Sequence, residues 1–155
     1  MTLKIKYKRT TTLVHPLQFI EKGDWVDLAL AEDAILTSKS FKPISLGIQM
    51  HLPKGFEAWV VPRSSTGKRY RVLIYNSPGI CDESYRGPDD IWHALIYAPY
   101  GCDIKAGKDI CQFRIMPKMQ ASVWTKIKWL FTSKIEFVEV EDLGGENRGG
   151  LGSTH

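Results

Sequence analysis

The sequence predicts an all-β protein, a sandwich or barrel built from many short strands in one domain. Segments rich in β-branched and aromatic residues recur along the whole length, each bounded by Gly, Pro, Asp or Asn, which is the punctuation of strands joined by tight turns. No window of a dozen residues keeps a clean helical apolar period, except around residues 123–131. The 155-residue chain has no internal repeat and no low-complexity linker. A chain of this size buries roughly two-thirds of its extended surface, enough for one core without disulfides or a structural metal.

Taken in order, the strand candidates are residues 3–7, 25–30, 44–52, 56–61, 71–75, 91–97, 110–116 and 135–140. In Gly55-Phe56-Glu57-Ala58-Trp59-Val60-Val61 the apolar positions alternate and then fuse, as on a strand covered on both faces. One short helix is expected to begin near Ser64 or Ser65, where a hydroxyl at the N-cap satisfies free N–H groups. Residues 123–131, with two tryptophans, a phenylalanine and lysines, suit a small amphipathic helix or a hairpin. The barrel is expected to end at residue 143. Beyond it, residues 144–155 read GGENRGGLGSTH, with little to bury and many glycines.

Composition excludes several classes. There are 21 Lys and Arg against 17 Asp and Glu, a net charge of +4 spread along the chain, which is too mild and dispersed for duplex nucleic acid but compatible with an anionic small molecule. No apolar run approaches the roughly 20 residues of a membrane span, and the N-terminus MTLKIKYKRTTT lacks an apolar signal core. The three cysteines, Cys81, Cys102 and Cys111, are an odd count without CxxC spacing, and read as small apolar core residues in a reducing cytoplasm.

Four clusters carry chemistry. Val61-Pro62-Arg63-Ser64-Ser65-Thr66 puts a fixed cation beside three hydroxyls at the end of an apolar strand, which suits an anion site or a solvated turn. Residues 76–87, NSPGICDESYRG, bracket Asp82 and Tyr85 between turn formers; a hairpin here offers backbone groups to a base edge and aims both side chains at one molecule. Asp82 fits a general base or water-positioning group. Gln112 sits amid apolar residues in a strand and must bond to backbone or ligand, since an unpaired buried amide costs about 1–3 kcal/mol. In the tail, Arg148 and its glycines suit either a frayed end or the wrapping of a polyphosphate, though neither a P-loop nor a Rossmann fingerprint is present.

The ordered segments WVDLALAED, VPRSS, NSPGICDESYRG, GKDICQFRI and NRGGLGST resemble the five motifs of the trimeric deoxyuridine triphosphate nucleotidohydrolases, the dUTPases. The likeness runs from about Lys4 to Thr154 and is similar to the Bacillus and prophage type, on GDW-V-DL and GGLGST. It implies a jelly-roll-like β-barrel acting as a cytoplasmic homotrimer, with active sites at subunit interfaces, that converts dUTP to dUMP and pyrophosphate with Mg²⁺. Such an enzyme limits uracil incorporation into DNA and supplies dUMP for dTMP synthesis. By the same resemblance Asp82 activates the water attacking the α-phosphorus, Tyr85 packs under the deoxyribose, and Asn76 with the backbone of Gly79, Ile80 and Cys81 reads the base. Arg63, Ser64, Ser65 and Gln112 meet the phosphates; Arg148, Gly150, Ser153 and Thr154 belong to an arm closing over them, and Asp27 supports. The metal is expected on substrate phosphates and water, without an assigned protein ligand.

This chain departs from the family at two places. Only Asp27 and Leu28 of the first motif carry over cleanly, and Leu151 stands where most of the family has a phenylalanine that stacks on uracil. An aromatic after the third motif takes that role in Bacillus-type relatives, so His93 is either the cap on the base or an ordinary strand residue. An insertion is expected at about residues 122–134; it either packs on its own or a neighbouring subunit or, at residues 123–131, faces a protein partner or membrane surface. The alternatives are a dCTP deaminase of the same fold, a phage regulator binding a protein, and a nonenzymatic jelly-roll module. A deaminase lacks the Asp82-x-x-Tyr85 pair and uses a later glutamate, which residues 91–97 do not contain.

Overall fold

The computed structural model describes residues 1–151, so Ser153 and Thr154 lie outside the described residues. Among the described residues, twelve strands and two helices are formed: β1 (Thr2–Arg9), β2 (Val26–Ala29), β3 (Ala34–Leu36), β4 (Ser40–Ser45), β5 (Ile48–His51), β6 (Phe56–Pro62), α1 (Thr66–Tyr70), β7 (Leu73–Ile74), β8 (Gly79–Asp82), β9 (His93–Ala98), β10 (Cys102–Ile104), β11 (Asp109–Pro117), α2 (Val123–Leu130) and β12 (Lys134–Glu139). They pair into four sheets, ordered β12-β1-β5, β10-β3, β2-β11-β6-β8 and β4-β9-β7. The predicted jelly-roll-like, all-β class is what forms.

Two-residue periodicity decides which side chains enter the core. In β1, Leu3, Ile5 and Tyr7 are buried while Lys4 and Lys6 face out; in β9, Ala94, Ile96 and Ala98 point inward. Aromatic rings bind the sheets together. Phe113 on β11 meets the buried Trp92 edge to face at 5.2 Å and Phe137 of β12 at 5.8 Å.

The expected continuous strand over residues 44–52 is instead two strands in different sheets. Gly47 breaks it at φ +67°, where the chain passes so close to Ala31 that a Cβ would meet its methyl at 2.9 Å. The helix start is where the sequence puts it, but the capping differs: Ser65 is the N-cap residue without a side-chain cap bond. The buried Thr66 anchors that turn, its hydroxyl donating to the Ile110 carbonyl at 2.6 Å. Residues 123–131 resolve as helix, capped by Ser122 accepting from the Thr125 amide. Trp129 packs inward on Phe56 at 5.8 Å, whereas Trp124 is 79% exposed. All three cysteines are free; burial pushes the Cys111 thiol up to about 12 and, with the Asp82 charge beside it, the Cys81 thiol to about 12, so both stay protonated. No described helix is long and apolar enough to cross a membrane.

Phe113→Ala removes a fully buried ring shared by two aromatic contacts, and should lower the unfolding free energy by about 3–5 kcal/mol in urea titration. An unchanged midpoint would show that Phe113 is not at the centre of the core.

Candidate active site

Strand β8 is the outer strand of its sheet, pairing with β6 from Glu57↔Asp82 to Val60↔Gly79. Its other edge keeps backbone donors and acceptors free, the arrangement that can read a planar hydrogen-bonding edge. Beside it opens a cleft of about 230 Å³, lined among others by Asn76, Cys81, Tyr85, His93, Arg148 and Leu151. That is below the ~300–1,000 Å³ of pockets that enclose drug-sized ligands, so it suits a base and sugar with a charged chain lying outside.

Asp82 ends β8 at the rim. Its Oδ1 accepts from the Ser84 amide at 2.9 Å, the Ser84 hydroxyl at 2.5 Å and Arg148 Nη1 at 3.0 Å. Lys118 Nζ stands 3.8 Å from Oδ2 and 3.0 Å from Glu83. Partial burial pushes the Asp82 carboxyl upward, but the two Ser84 bonds and the charges of Arg148 and Lys118 outweigh it and hold the carboxyl below its ordinary value.

Tyr85 and His93 are fixed by a single acceptor. The Ile91 carbonyl takes the Tyr85 hydroxyl at 2.9 Å and meets His93 Nδ1 at 2.7 Å, orienting both rings at the cleft. Burial, then Cys81 and Asp90, pushes the Tyr85 phenol up to about 12, so it presents a neutral ring. Asn76 lines the cleft and is anchored from behind. Its side-chain oxygen accepts from the Leu95 amide at 2.9 Å and its nitrogen donates to the His93 carbonyl at 3.4 Å, so it ties the hairpin to β9 and keeps one amide hydrogen for a further acceptor.

The remaining expected phosphate residues gather elsewhere. Arg63, past the end of β6, pairs its Nε with Asp27 Oδ1 at 2.9 Å. Gln112 lies opposite both Asp27 and Val61 and donates to the Pro62 carbonyl at 3.5 Å, so its partner within the chain is backbone. Ser64 and Ser65 are exposed beside them. Asp82 faces Glu57, six positions from Arg63, which at ~3.3 Å per residue separates the two groups by about 20 Å. One chain therefore brings together Asp82, Tyr85, His93 and Arg148, and holds Asp27, Arg63, Ser64, Ser65 and Gln112 apart as a second group.

The tail folds back on the hairpin. Arg148 reaches Asp82, and Gly150 lies so close to Tyr85 that a Cβ there would meet the ring at 3.2 Å. Sequence reasoning passed over Lys118, the Ile91 carbonyl and Asp90, a buried carboxylate accepting from the amides of Gly87, Arg148 and Gly149 at 2.8–2.9 Å. A lysine after a strand, a main-chain oxygen and an aspartate in Pro-Asp-Asp carry no signal of their own.

Known proteins resemble this chain along most of its length. A family model described as dUTPase matches residues 26–140. The chain is 45% identical to the SPbeta prophage-derived deoxyuridine 5'-triphosphate nucleotidohydrolase YosS of Bacillus subtilis (strain 168), covering 99% of this chain and 98% of the relative. It is 32% identical to a deoxyuridine 5'-triphosphate nucleotidohydrolase of Nautilia profundicola, over 99% of both. In fold it is similar to the dUTPase of Streptococcus mutans, with a TM-score of 0.67 at 18% identity, covering 76% of this chain and 98% of that one. A Staphylococcus bacteriophage 80alpha dUTPase with dUPNHPP superposes over 97% of this chain and 98% of its own, with a TM-score of 0.65 at 15% identity.

Arg148→Ala should raise the Asp82 carboxyl toward its ordinary value, read as a shift of its carboxyl resonance in an NMR pH titration. A titration identical to that of the unaltered protein would mean that Arg148 does not rest on Asp82 in solution.

Proposed function

Because the chain belongs to the dUTPase family, we propose that it hydrolyses dUTP to dUMP and pyrophosphate at the cleft between β8 and the C-terminal arm. The observation that carries this reading is the convergence of Asp82, Tyr85 and Arg148 on one cleft whose edge offers free backbone groups. Uracil lies against the open edge of Gly79, Ile80 and Cys81. Deoxyribose stacks on Tyr85, whose ring is too firmly held by Ile91 to yield to a 2′-hydroxyl. His93 covers the base, the place that Leu151 cannot fill with a π-face.

Asp82 holds a water in line with the α-phosphorus. The water oxygen forms the new bond to phosphorus, the bond to the α,β-bridging oxygen breaks, pyrophosphate departs and the water proton passes to the carboxylate. A base is most effective when its pKa lies near the working pH, and the two Ser84 bonds, helped by Arg148 and Lys118, hold the resting Asp82 below even its ordinary value. Nucleotide binding draws Arg148 onto the β- and γ-phosphates, so one of the groups that lower Asp82 leaves as the base is needed. Positioning and charge neutralisation then suffice, without a covalent intermediate.

Among the described residues no three His, Cys, Asp or Glu side chains gather as a metal-ligand group. Isolated carboxylates beside cations fit a Mg²⁺ ion that keeps its waters and enters on the triphosphate. When bound, that ion neutralises phosphate charge alongside Arg63 and Arg148.

The active unit is a homotrimer with shared sites. Arg63 is held by Asp27 about 20 Å from Asp82, so a neighbouring copy supplies the second group to each cleft. The outer face of the β4-β9-β7 sheet, with Phe41 66% and Tyr75 68% exposed and stacked at 6.4 Å, gives such a neighbour apolar surface to cover. The barrel spans residues 1–143 and the arm residues 144–155; the enzyme works in the cytoplasm, protecting DNA from uracil and feeding dUMP to dTMP synthesis. A regulatory reading is favoured by one observation, the exposed apolar face of α2 carrying Trp124 and Leu130, both 79% exposed, which would suit a protein partner.

Pyrophosphate release should be fast for dUTP and slow for dCTP, dTTP and UTP, and Asp82→Asn should lower kcat by about 10²–10⁴-fold while a nonhydrolysable dUTP analogue still binds. Equal turnover of UTP would overturn the role of Tyr85. Mixing Asp82→Asn with Arg63→Ala subunits should restore up to about a quarter of the wild-type rate, the random share of sites drawing both intact residues from different chains. Absence of recovery would place each site within one chain.

A further inference from the structure

We propose that Asp90 is the seat of the C-terminal arm, a positioning residue that grips the arm's backbone and thereby aims Arg148 at the phosphates; this rests on the reading of the arm as part of the dUTPase site. Asp90 is 1% exposed, and among the described residues no arginine or lysine side chain bonds its carboxylate. Instead it is occupied by main-chain donors from two segments. Oδ2 accepts from the Gly87 amide at 2.8 Å and the Arg148 amide at 2.8 Å, and Oδ1 accepts from the Gly149 amide at 2.9 Å. Burial would raise this carboxyl, but the amides of Arg148, Gly87, Gly149 and Arg86 lower it, so it is ionised when the arm is docked. Bonds of this charge-assisted kind are about twice as strong as neutral ones.

An independent feature of the same loop marks it as built for the arm. A Cβ on Gly87 would meet Asn147 atoms at 2.3–2.5 Å, two of them backbone, so the arm crosses where a side chain is excluded. Asn147 also exchanges two bonds with Asp89, accepting from its amide at 2.7 Å and donating to its carboxylate at 2.6 Å. From below, the buried Gln49 donates to the carbonyls of Gly87 and Pro88, fixing the loop. The loop that follows Tyr85 is thus a socket: rigid underneath, anionic at its base and bare where the arm lies. Arg148 carries its main-chain amide on Asp90 and its guanidinium on Asp82, so losing the first contact frees the second.

Two measurements test this on the full chain. Limited trypsin digestion without nucleotide, followed by mass spectrometry, reads cleavage after Arg148; Asp90→Asn should speed it about tenfold while cleavage within the barrel keeps its rate. Gly87→Ala should do the same. In steady-state kinetics Asp90→Asn should lower kcat/KM for dUTP about tenfold, and lose that effect in an Arg148→Ala background, because the two residues act through one arm. Unchanged trypsin protection in Asp90→Asn overturns the proposal, as does a full kinetic effect persisting in Arg148→Ala. Arg148→Ala with wild-type kcat/KM would instead remove the arm from catalysis, leaving the proteolysis result to report on the seat alone.

Discussion

The pairing of β11 with β6, seven residues from Cys111↔Pro62 to Pro117↔Phe56, is the constraint on which the rest of the structure depends. It fixes the register of the four-stranded sheet, and a one-residue slip would exchange its faces. In the observed register Phe113 and Ile115 enter the core, while Gln112 and Arg114 turn the other way. The same pairing sets Gln112 beside Asp27 at one end of the sheet and, through β6 and β8, sets Asp82 at the other. Distance between the two groups is therefore a property of strand length, and no rotamer change closes it.

Much of this was legible because strands buried on one side leave a two-residue trace. β1 and β9 alternate in the sequence as they do in space. β6 was expected to be covered on both faces, but only Phe56, Ala58 and Val60 are buried and Trp59 is exposed; its apolar outer face hid the alternation. The three-residue β3 and β10 left none: Ala-Ile-Leu and Cys-Asp-Ile are too short to show a period, and they are held by pairing with each other. Gly47 reads as one glycine in an apolar run until Ala31 is known to lie against it. At the site, Asp82, Tyr85 and Arg148 were visible from chemistry and order. Asn76 was visible as a cleft residue, but its anchoring to β9 through the Leu95 amide and the His93 carbonyl was not, because those partners lie 19 and 17 positions away. Asp90 was hidden because a second acidic residue in a turn looks solvated, and its partners lie 58 and 59 positions away.

Charge at the site is arranged by neighbour and not by total. The whole chain carries +4, yet Asp82 alone faces Ser84, Arg148 and Lys118. In the absence of nucleotide these cations find a carboxylate to rest on, and with the two Ser84 bonds they hold it below its ordinary value. On the proposed function, a triphosphate would offer several more negative charges than Asp82 does and would draw Arg148 away by simple competition. The resting pair Asp82–Arg148 then behaves as a stand-in for the bound state: it keeps the guanidinium within reach of the cleft and spares it a search through solvent.

The arm must also leave, because product has to escape. Residues 144–151 bury no large apolar side chain, and Leu151 is 59% exposed, so hydrophobic burial contributes little to docking. What holds the arm is a small number of hydrogen bonds concentrated on Asp89, Asp90 and Asp82. Most of those bonds are charge-assisted and individually stronger than neutral ones, but they are few and break without exposing apolar surface, so opening costs less than unfolding of the barrel. A more apolar tail would dock more tightly and release pyrophosphate more slowly. The glycines serve the same end, since they let the backbone amides themselves be the contact while the Arg148 side chain reaches on to Asp82.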